Sequence, residues 1–177
     1  RRSIKKHFSS LTIGSGSFAV ILSSSKLSSQ KHRLLGAAST AATEYNKLCR
    51  GNDDAGMHDG SEVLMDTDSE TLMIKGVETA FETWEKFKKE LAWTNSSPDI
   101  ICAHQVGSAH RKMLFEKLGL PLEKDFPILE SFGNTGSASC PSTLGIAAKT
   151  GRIQKGNKAA MLGIGSGINC TMLGVEW

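Results

Sequence analysis

The sequence lacks an apolar run near the roughly 18 residues that a membrane-spanning helix needs, so we expect no membrane span. Its 4 cysteines form no C-x-x-C pair, and none has a histidine beside it at metal-ligand spacing: Cys49, Cys102, Cys140 and Cys170. We therefore expect no metal site. Dispersed cysteines in a chain without a secretory leader are typical of reduced thiols, which predicts a cytoplasmic location.

Neither sign of charge dominates, because the sequence has 21 Lys and Arg and 18 Asp and Glu, for a net charge of +3. One basic cluster lies at the start of the chain and is more typical of a solvated terminus than of a nucleic-acid site: Arg1, Arg2, Lys5, Lys6 and His7. We expect no nucleic-acid partner. At 177 residues and 39% hydrophobic content, the chain has the size and composition of one domain with its own core.

Helical and strand-like segments alternate along the chain, which predicts an α/β layered fold. We expect helices over 68–93, 107–118 and 137–150, and a buried strand over 98–103. Strand hairpins are predicted around two Gly-Ser-Gly turns, over 8–25 and over 158–176. The run 33–46 is ambiguous, since its alanines favour helix and its lack of helical periodicity favours a strand; we predict a strand. A long loop is predicted over 49–66. The first residue is Arg and a strand-like run begins at Leu11, so we expect the chain to begin within a fold.

His104 directly follows the buried strand at its carboxyl end, which is the edge of an open α/β sheet where ligands bind. A histidine there can donate a hydrogen bond or move a proton near neutral pH. The alternative is a structural histidine satisfied by backbone groups.

Asn134 lies between two glycines, in Gly133-Asn134-Thr135-Gly136, just before a helix with Pro141 in its first turn. Its carboxamide does not titrate, so it suits polarising a carbonyl rather than attacking one. The alternative is that Asn134 only caps the helix.

Three further features carry weaker signals. The backbone amides of Gly165-Ser166-Gly167 suit an oxyanion, although such triplets more often form tight turns. Cys140 lies in the first turn of a helix, where the dipole lowers a thiol pKa, but we assign it no attack. We place His110 on a helix surface and give it no role. No G-K-[ST] follows Gly14, so no phosphate loop is expected.

The motifs occur in one order: His104-Gln105 at a strand end, then the Asn134 loop, then the Gly165 hairpin. In this order they resemble the C-terminal half of the 3-oxoacyl-ACP synthase III group of the thiolase superfamily. The resemblance covers nearly the whole chain. It implies a layered αβαβα fold, of which this chain would supply the C-terminal half and the last hairpin of the N-terminal half. The two Gly-Ser-Gly hairpins agree with a duplicated fold.

The resemblance also implies roles for individual residues. His104 and Asn134 match the histidine and asparagine of a Cys–His–Asn triad, which hold a thioester carbonyl and stabilise its enolate. The loop Gly165–Gly167 matches an oxyanion-hole loop. Neighbouring motif residues would bind substrate: Gln105, Gly107, Gly133 and Thr135. The nucleophilic cysteine would lie in an N-terminal half outside this chain.

One departure narrows the expected activity. Synthase III proteins read H-Q-A-N after the strand, whereas this chain reads His104-Gln105-Val106-Gly107. Together with Met65–Glu70 and the helix that carries Thr83-Trp84, this is more similar to a branch that condenses two long-chain acyl-CoAs head to head into a 2-alkyl-3-oxoacid. The alternatives are a synthase III that starts fatty acid biosynthesis from acyl-CoA and malonyl-ACP, and a non-catalytic fragment or partner subunit.

The resemblance implies a division of the chain and a set of partners. Residues 1–48 would close the first thiolase half, 49–67 would form a loop or cover segment, and 68–177 would form the C-terminal half-domain. CoA or ACP thioesters would be substrates, with no cofactor. A homodimer through the thiolase fold and the missing N-terminal half would complete the enzyme.

Overall fold

The computed structural model of the chain describes residues 11–51 and 65–177. The basic cluster, the start of the first predicted hairpin and most of the predicted loop over 49–66 lie outside the described residues. The strands are β1 (Arg33–Ala41), β2 (Cys49–Gly51), β3 (Met65–Thr67), β4 (Ile100–Ala103), β5 (Lys158–Gly165) and β6 (Asn169–Glu176). The α-helices are α1 (Ser69–Leu91), α2 (Ser108–Leu118), α3 (Leu129–Phe132) and α4 (Ser139–Lys149).

Four strands form the main sheet in the order β1-β6-β5-β4, while β2 and β3 pair separately. The pairs β1–β6 and β5–β6 are antiparallel, and β4–β5 is parallel. Because β4 and β5 run in the same direction, their carboxyl ends lie at the same edge of the sheet. That edge carries both His104 and the turn that begins at Gly165.

Side chains alternate across the sheet and divide the core between its two faces. Ile101 and Ala103 of β4 pack with α1 and α2 on one face. Ile100 and Cys102 of the same strand pack on the opposite face with residues of α4, such as Ala147 and Cys140. A run of buried residues on one strand therefore serves two helical layers. The predicted α/β fold class is confirmed.

Helix α1 supplies the two largest fully buried side chains of the core, Trp84 and Phe87. Val77, Ala80, Trp84 and Phe87 recur at helical spacing and are almost completely buried. Thr67 and Glu70 have the spacing of a capping box, but the N-cap is Asp68, whose carboxylate accepts the N–H of Thr71 at 3.1 Å. The helix begins one residue later than that motif implied.

The first predicted hairpin, over 8–25, is wrong for its described part. Residues 14–24 form no strand, and Ile13 makes only an isolated bridge to Asn134. A hairpin needs a sheet or helix against which to bury its apolar face. Within the described ranges nothing covers this run, because Ile21 is 90% and Leu22 is 78% exposed.

The other predicted elements agree with the structure in type. The ambiguous run over 33–46 forms β1, and the Gly-Ser-Gly hairpin over 158–176 forms β5 and β6. The predicted loop over 49–66 differs at its ends, which pair as β2 and β3. Strand β1 is hydrogen-bonded along its length to β6, so residues 33–41 share the sheet of the C-terminal segment. The division at 48 and 67 stays a prediction.

No helix in the described part of the chain is long and apolar enough to cross a membrane.

Candidate active site at the carboxyl edge of the sheet

His104 is held at the end of β4 by the backbone. Its N–H donates to the carbonyl of Leu162 in β5 at 2.8 Å, which extends the parallel ladder by one residue. Burial lowers the pKa of His104 below its ordinary value, and a hydrogen bond to the backbone of Gly136 acts in the opposite direction. Because that bond favours the protonated ring, the imidazole is the donor and the carbonyl of Gly136 the acceptor. His104 is thus neutral near pH 7, with one nitrogen committed to Gly136.

Asn134 is fixed from both sides by a segment far away in sequence. Its N–H donates to the carbonyl of Thr12 at 2.8 Å, and its carbonyl accepts the N–H of Gly14 at 2.9 Å. Its side-chain oxygen accepts the N–H of Gly136 at 3.0 Å. This bond orients the carboxamide, so that its NH₂ group is the end available for a ligand.

The backbone of Gly136 therefore joins the two predicted catalytic side chains. Its N–H binds Asn134 and its backbone also accepts from His104. The structure brings His104 and Asn134 to the same place, as the resemblance implied, and their catalytic roles stay a prediction.

Gly133 and Thr135 flank Asn134 and face the segment that holds it. Gly133 has φ +70°, and a Cβ there would lie 2.9 Å from the carbonyl oxygen of Thr12. Only glycine adopts this positive φ readily and also leaves room for the Thr12 carbonyl. The hydroxyl of Thr135 is buried and has no hydrogen-bond partner among the described residues. Substrate contact by either residue remains a prediction.

The Gly165–Gly167 triplet forms the turn between β5 and β6. An added Cβ would lie 2.9 Å from Asn169 Oδ1 at Gly165 and 3.0 Å from Asn169 Nδ2 at Gly167, so the turn closes tightly on that side chain. The next residue, Ile168, exchanges two backbone hydrogen bonds with Ala42, at 2.8 and 3.2 Å. The turn lies at the same sheet edge as His104, and its oxyanion role stays a prediction.

Gln105 was expected to bind substrate, but the structure gives its side chain another task. Its Oε1 accepts the N–H groups of Ile128 and Leu129, both at 2.7 Å. Its Nε2 donates to the carbonyl of Phe126 at 3.1 Å. The residue is 5% exposed, so the side chain is engaged by the backbone of 126–129. A contact of Gln105 with substrate stays a prediction.

Gly107 precedes α2 and borders a small cavity of about 100 Å³. An added Cβ at Gly107 would meet nothing within 4 Å. Six of the residues around this cavity are His104, Gln105, Gly107, Ser108, Arg111 and Asp125. Its lining does not include Asn134 or the Gly165 turn, so the cavity lies beside the His104–Asn134 pair.

Two features of this region were not foreseen. His110 was placed on a helix surface, but it is 8% exposed, and its Nδ1 is buried without a partner in the described chain. Its spacing of four from Leu114 indicates the buried face and could have revealed this.

Arg111 and Asp125 form an ion pair in which the aspartate side chain is fully buried. Burial raises the pKa of Asp125, and the hydrogen bond and charge of Arg111 act against that shift.

The thiols of the sheet and α4 are not arranged for attack. Burial raises the pKa of Cys140 to about 12 and that of Cys170 to about 11. The thiol of Cys140 donates to the carbonyl of Leu162 at 3.3 Å. The helix position that made Cys140 a weak candidate is outweighed by burial.

The fold is thiolase-like, with a mixed sheet between helical layers. OleA of Xanthomonas campestris, in a structure of a variant with bound lauric acid and lauroyl-CoA, superposes with a TM-score of 0.85 and 33% identity. The match covers 99% of this chain and 50% of that chain. A cerulenin-bound structure of the same protein gives a TM-score of 0.85 at 32% identity, over 99% of this chain and 48% of that chain.

Residues 89–177 match the family described as 3-Oxoacyl-[acyl-carrier-protein (ACP)] synthase III C terminal. The chain belongs to this family. A protein of Shewanella oneidensis named acyl-CoA:acyl-CoA alkyltransferase is 41% identical over an alignment 171 residues long, which covers 94% of this chain and 49% of that protein. The protein of the same name in Xanthomonas campestris pv. campestris is 36% identical over 98% of this chain and 48% of its own length. The chain thus spans about half the length of the curated relatives it matches.

Proposed function

We propose that this chain is the His–Asn half of an enzyme that condenses two acyl-CoA molecules by a Claisen reaction. The observation that carries the proposal is the convergence of His104 and Asn134 on Gly136 at the ligand-binding edge of the sheet. The similarity to proteins named acyl-CoA:acyl-CoA alkyltransferase, and to an OleA variant that binds lauroyl-CoA, supports acyl-CoA as substrate.

The first proposed step loads the enzyme. A cysteine thiol outside this chain gives its proton to the free ring nitrogen of His104. The thiolate then attacks the carbonyl of the first acyl-CoA, and CoA leaves as a thiolate. Because burial lowers the pKa of His104, the ring is neutral before this step and able to accept the proton.

The second step joins the two chains. A base of the complete enzyme removes a proton from Cα of the second acyl-CoA, and the enolate oxygen accepts hydrogen bonds from the His104 imidazolium and the Asn134 NH₂. The Cα carbanion attacks the acyl-cysteine carbonyl, whose oxyanion accepts a backbone N–H of the Gly165–Gly167 turn, and the cysteine thiolate departs. The product is a 2-alkyl-3-oxoacyl-CoA, and water hydrolyses its thioester to give CoA and the 2-alkyl-3-oxoacid. Each fixed donor in such a site is worth about 3 kcal/mol.

An N-terminal half would supply the cysteine and cover the apolar surface around the first segment. Large apolar side chains are exposed there: Phe18, Val20, Ile21, Leu22, Leu27 and Leu34. A surface of this kind marks an interface rather than a solvated face.

We further propose a homodimer through the thiolase fold, a cytoplasmic location and a role in lipid metabolism.

The test joins this chain to the cysteine-bearing half and supplies lauroyl-CoA. The first equivalent of CoA released per enzyme reports loading, and mass spectrometry reports the 2-alkyl-3-oxoacid. We expect His104→Ala and Asn134→Ala each to lower condensation about 10²- to 10³-fold. The exposed residues His32 and Asn46 provide the matched controls His32→Ala and Asn46→Ala, which should leave it unchanged.

Two outcomes would favour the alternatives. Release of carbon dioxide from malonyl-ACP, without product from two acyl-CoAs, would identify an initiating synthase III. Complete absence of loading and condensation in a folded protein would point to a non-catalytic partner.

A further inference from the structure

Two hydrogen bonds connect the neighbour of His104 to the neighbour of Asn134. Gln105 Oε1 accepts the N–H of Leu129 at 2.7 Å, and the carbonyl of Leu129 accepts the N–H of Gly133 at 2.8 Å. Gln105 follows His104 directly, and Gly133 directly precedes Asn134. We propose that Gln105 is a positioning residue that sets where Asn134 lies relative to His104. The inference rests on the proposed function for its kinetic test only.

Helix α3 makes this connection stiff. It contains only the four residues Leu129–Phe132, and no side chain of its own N-cap residue, Ile128, satisfies its first N–H groups. Gln105 supplies the missing acceptor for the N–H groups of Ile128 and Leu129. The N–H groups at the start of α3, which have no acceptor within the helix, therefore attach the helix to the residue after His104.

The rest of the segment strengthens the same attachment. Phe126 donates its N–H to the carbonyl of Ile101 in β4 at 3.1 Å, and its own carbonyl accepts Gln105 Nε2 at 3.1 Å. Arg111 of α2 binds the buried carboxylate of Asp125 and also donates to the carbonyl of Leu122 at 3.3 Å. These bonds fix 122–126 against β4 and α2. The side chain of Gln105 links this fixed segment to the start of α3. Helix α3 in turn leads through Gly133 to Asn134.

Gln105 need not touch substrate to affect the reaction. If its acceptor is lost, two N–H groups at the start of α3 lose their partner and the turn that ends at Gly133 can shift. Asn134 would then move relative to His104, and a displacement near 1 Å costs about 10²-fold in rate. Only the condensation step needs both side chains on one oxygen, whereas loading uses His104 and the Gly165 turn.

The decisive variant is Gln105→Met, which keeps the length of the side chain and removes its hydrogen bonds. In the enzyme joined to its cysteine-bearing half, we expect loading by lauroyl-CoA to stay within about threefold of the unmodified rate, while condensation falls about 10²-fold. Gln105→Glu keeps the acceptor for Ile128 and Leu129 and should recover most of the lost rate. Gln154→Met, at an exposed glutamine, is the matched control and should change neither step.

Two kinetic outcomes overturn the inference. One is condensation at the unmodified rate in Gln105→Met. The other is an equal loss of loading and condensation, which would mean a purely structural role.

A second measurement does not depend on activity. Amide hydrogen exchange should show Ile128, Leu129 and Gly133 protected in the unmodified protein and in Gln105→Glu, and fast in Gln105→Met. Unchanged protection in Gln105→Met overturns the inference even where no condensation is detected. These amides could be protected in the unmodified protein and exchange faster in Gln105→Met while neither protein condenses acyl-CoA. That result would support the positioning contact and reject only the proposed function.

Discussion

The imidazole of His104 and the carboxamide of Asn134 both bind the backbone of Gly136, one to its carbonyl and the other to its N–H. One peptide segment therefore fixes both side chains at once. Gly136 has φ +57°, a conformation that L-residues rarely adopt, so the link depends on glycine.

Gly136→Ala tests this dependence. A Cβ there would meet nothing within 4 Å, so the cost comes only from the backbone conformation and should be about 1–2 kcal/mol of unfolding free energy. Gly145→Ala is the matched control, because it also has open space but lies within α4 without a positive φ. That control should stabilise by about 0.5–1 kcal/mol. Equal shifts in urea denaturation for the two variants would refute the argument.

Gly14→Ala tests the support beneath Asn134. A Cβ at Gly14 would lie 1.8 Å from the carbonyl oxygen of Phe132, whereas at Gly16 its nearest neighbour would be 3.6 Å away. We expect Gly14→Ala to lower the free energy of unfolding by about 1–3 kcal/mol, the typical cost of overpacking, and Gly16→Ala to be nearly neutral. Thermal denaturation of the pair checks this. A neutral Gly14→Ala would mean that residues 12–14 do not pack on the Asn134 loop.

His110 should make the protein sensitive to acid. Burial, and secondarily the nearby His104, lower the pKa of His110 from 6.5 to about 4. The unfolded chain therefore binds a proton near pH 6.5 that the folded chain does not bind until about pH 4. Stability is full above the unfolded pKa and falls as the pH drops through this window, by up to about 3 kcal/mol.

The comparison that isolates this effect is His110→Leu against the unmodified protein, by urea denaturation between pH 7 and pH 4. As the pH falls, the stability of His110→Leu relative to the unmodified protein should rise, because the variant lacks the histidine that the unfolded chain protonates. His32→Leu, at an exposed histidine, should keep the slope of the unmodified protein. A pH slope that survives in His110→Leu would assign the sensitivity to other groups.

The three core cysteines should resist alkylation. Cys102, Cys140 and Cys170 are buried, and burial raises the pKa of each thiol above its ordinary value. At pH 7.5 we expect iodoacetamide to label these three at least about 10²-fold more slowly in the folded chain than in urea, since the thiolate is the reactive form. Peptide mapping by mass spectrometry separates them from Cys49. Rapid labelling of Cys140 in the folded protein would reopen its candidacy as a nucleophile.

The sequence predicted the elements whose pattern is local. The apolar stripe of α1, the buried run of β4 and the glycine turn at 165–167 each specify an element by themselves. His104 could be placed at the sheet edge because it follows such a run directly. The convergence with Asn134 came from the resemblance, since residues thirty positions apart carry no local signal of proximity.

The parts that were missed depend on partners distant in the chain. Whether 8–25 forms a hairpin is decided by what covers its apolar side chains, and propensity contains no information on that. The resemblance implied that Gln105 binds substrate, and that contact stays a prediction. The hydrogen bonds of its side chain to the N–H groups at the start of α3 could not be predicted, because this helix of four residues is too short to show periodicity. The burial of His110 was readable from its spacing to Leu114 and was overlooked beside two charged neighbours.

The contact between residues 12–14 and Asn134 limits how far this chain can be truncated at its N-terminal side. A recombinant piece that starts at Arg33 would retain all the strands and helices that the structure describes in 33–51 and 65–177. It would nevertheless lose the two backbone bonds that grip Asn134. The piece needed to hold Asn134 in place is therefore longer than the piece that contains the strands and helices described above.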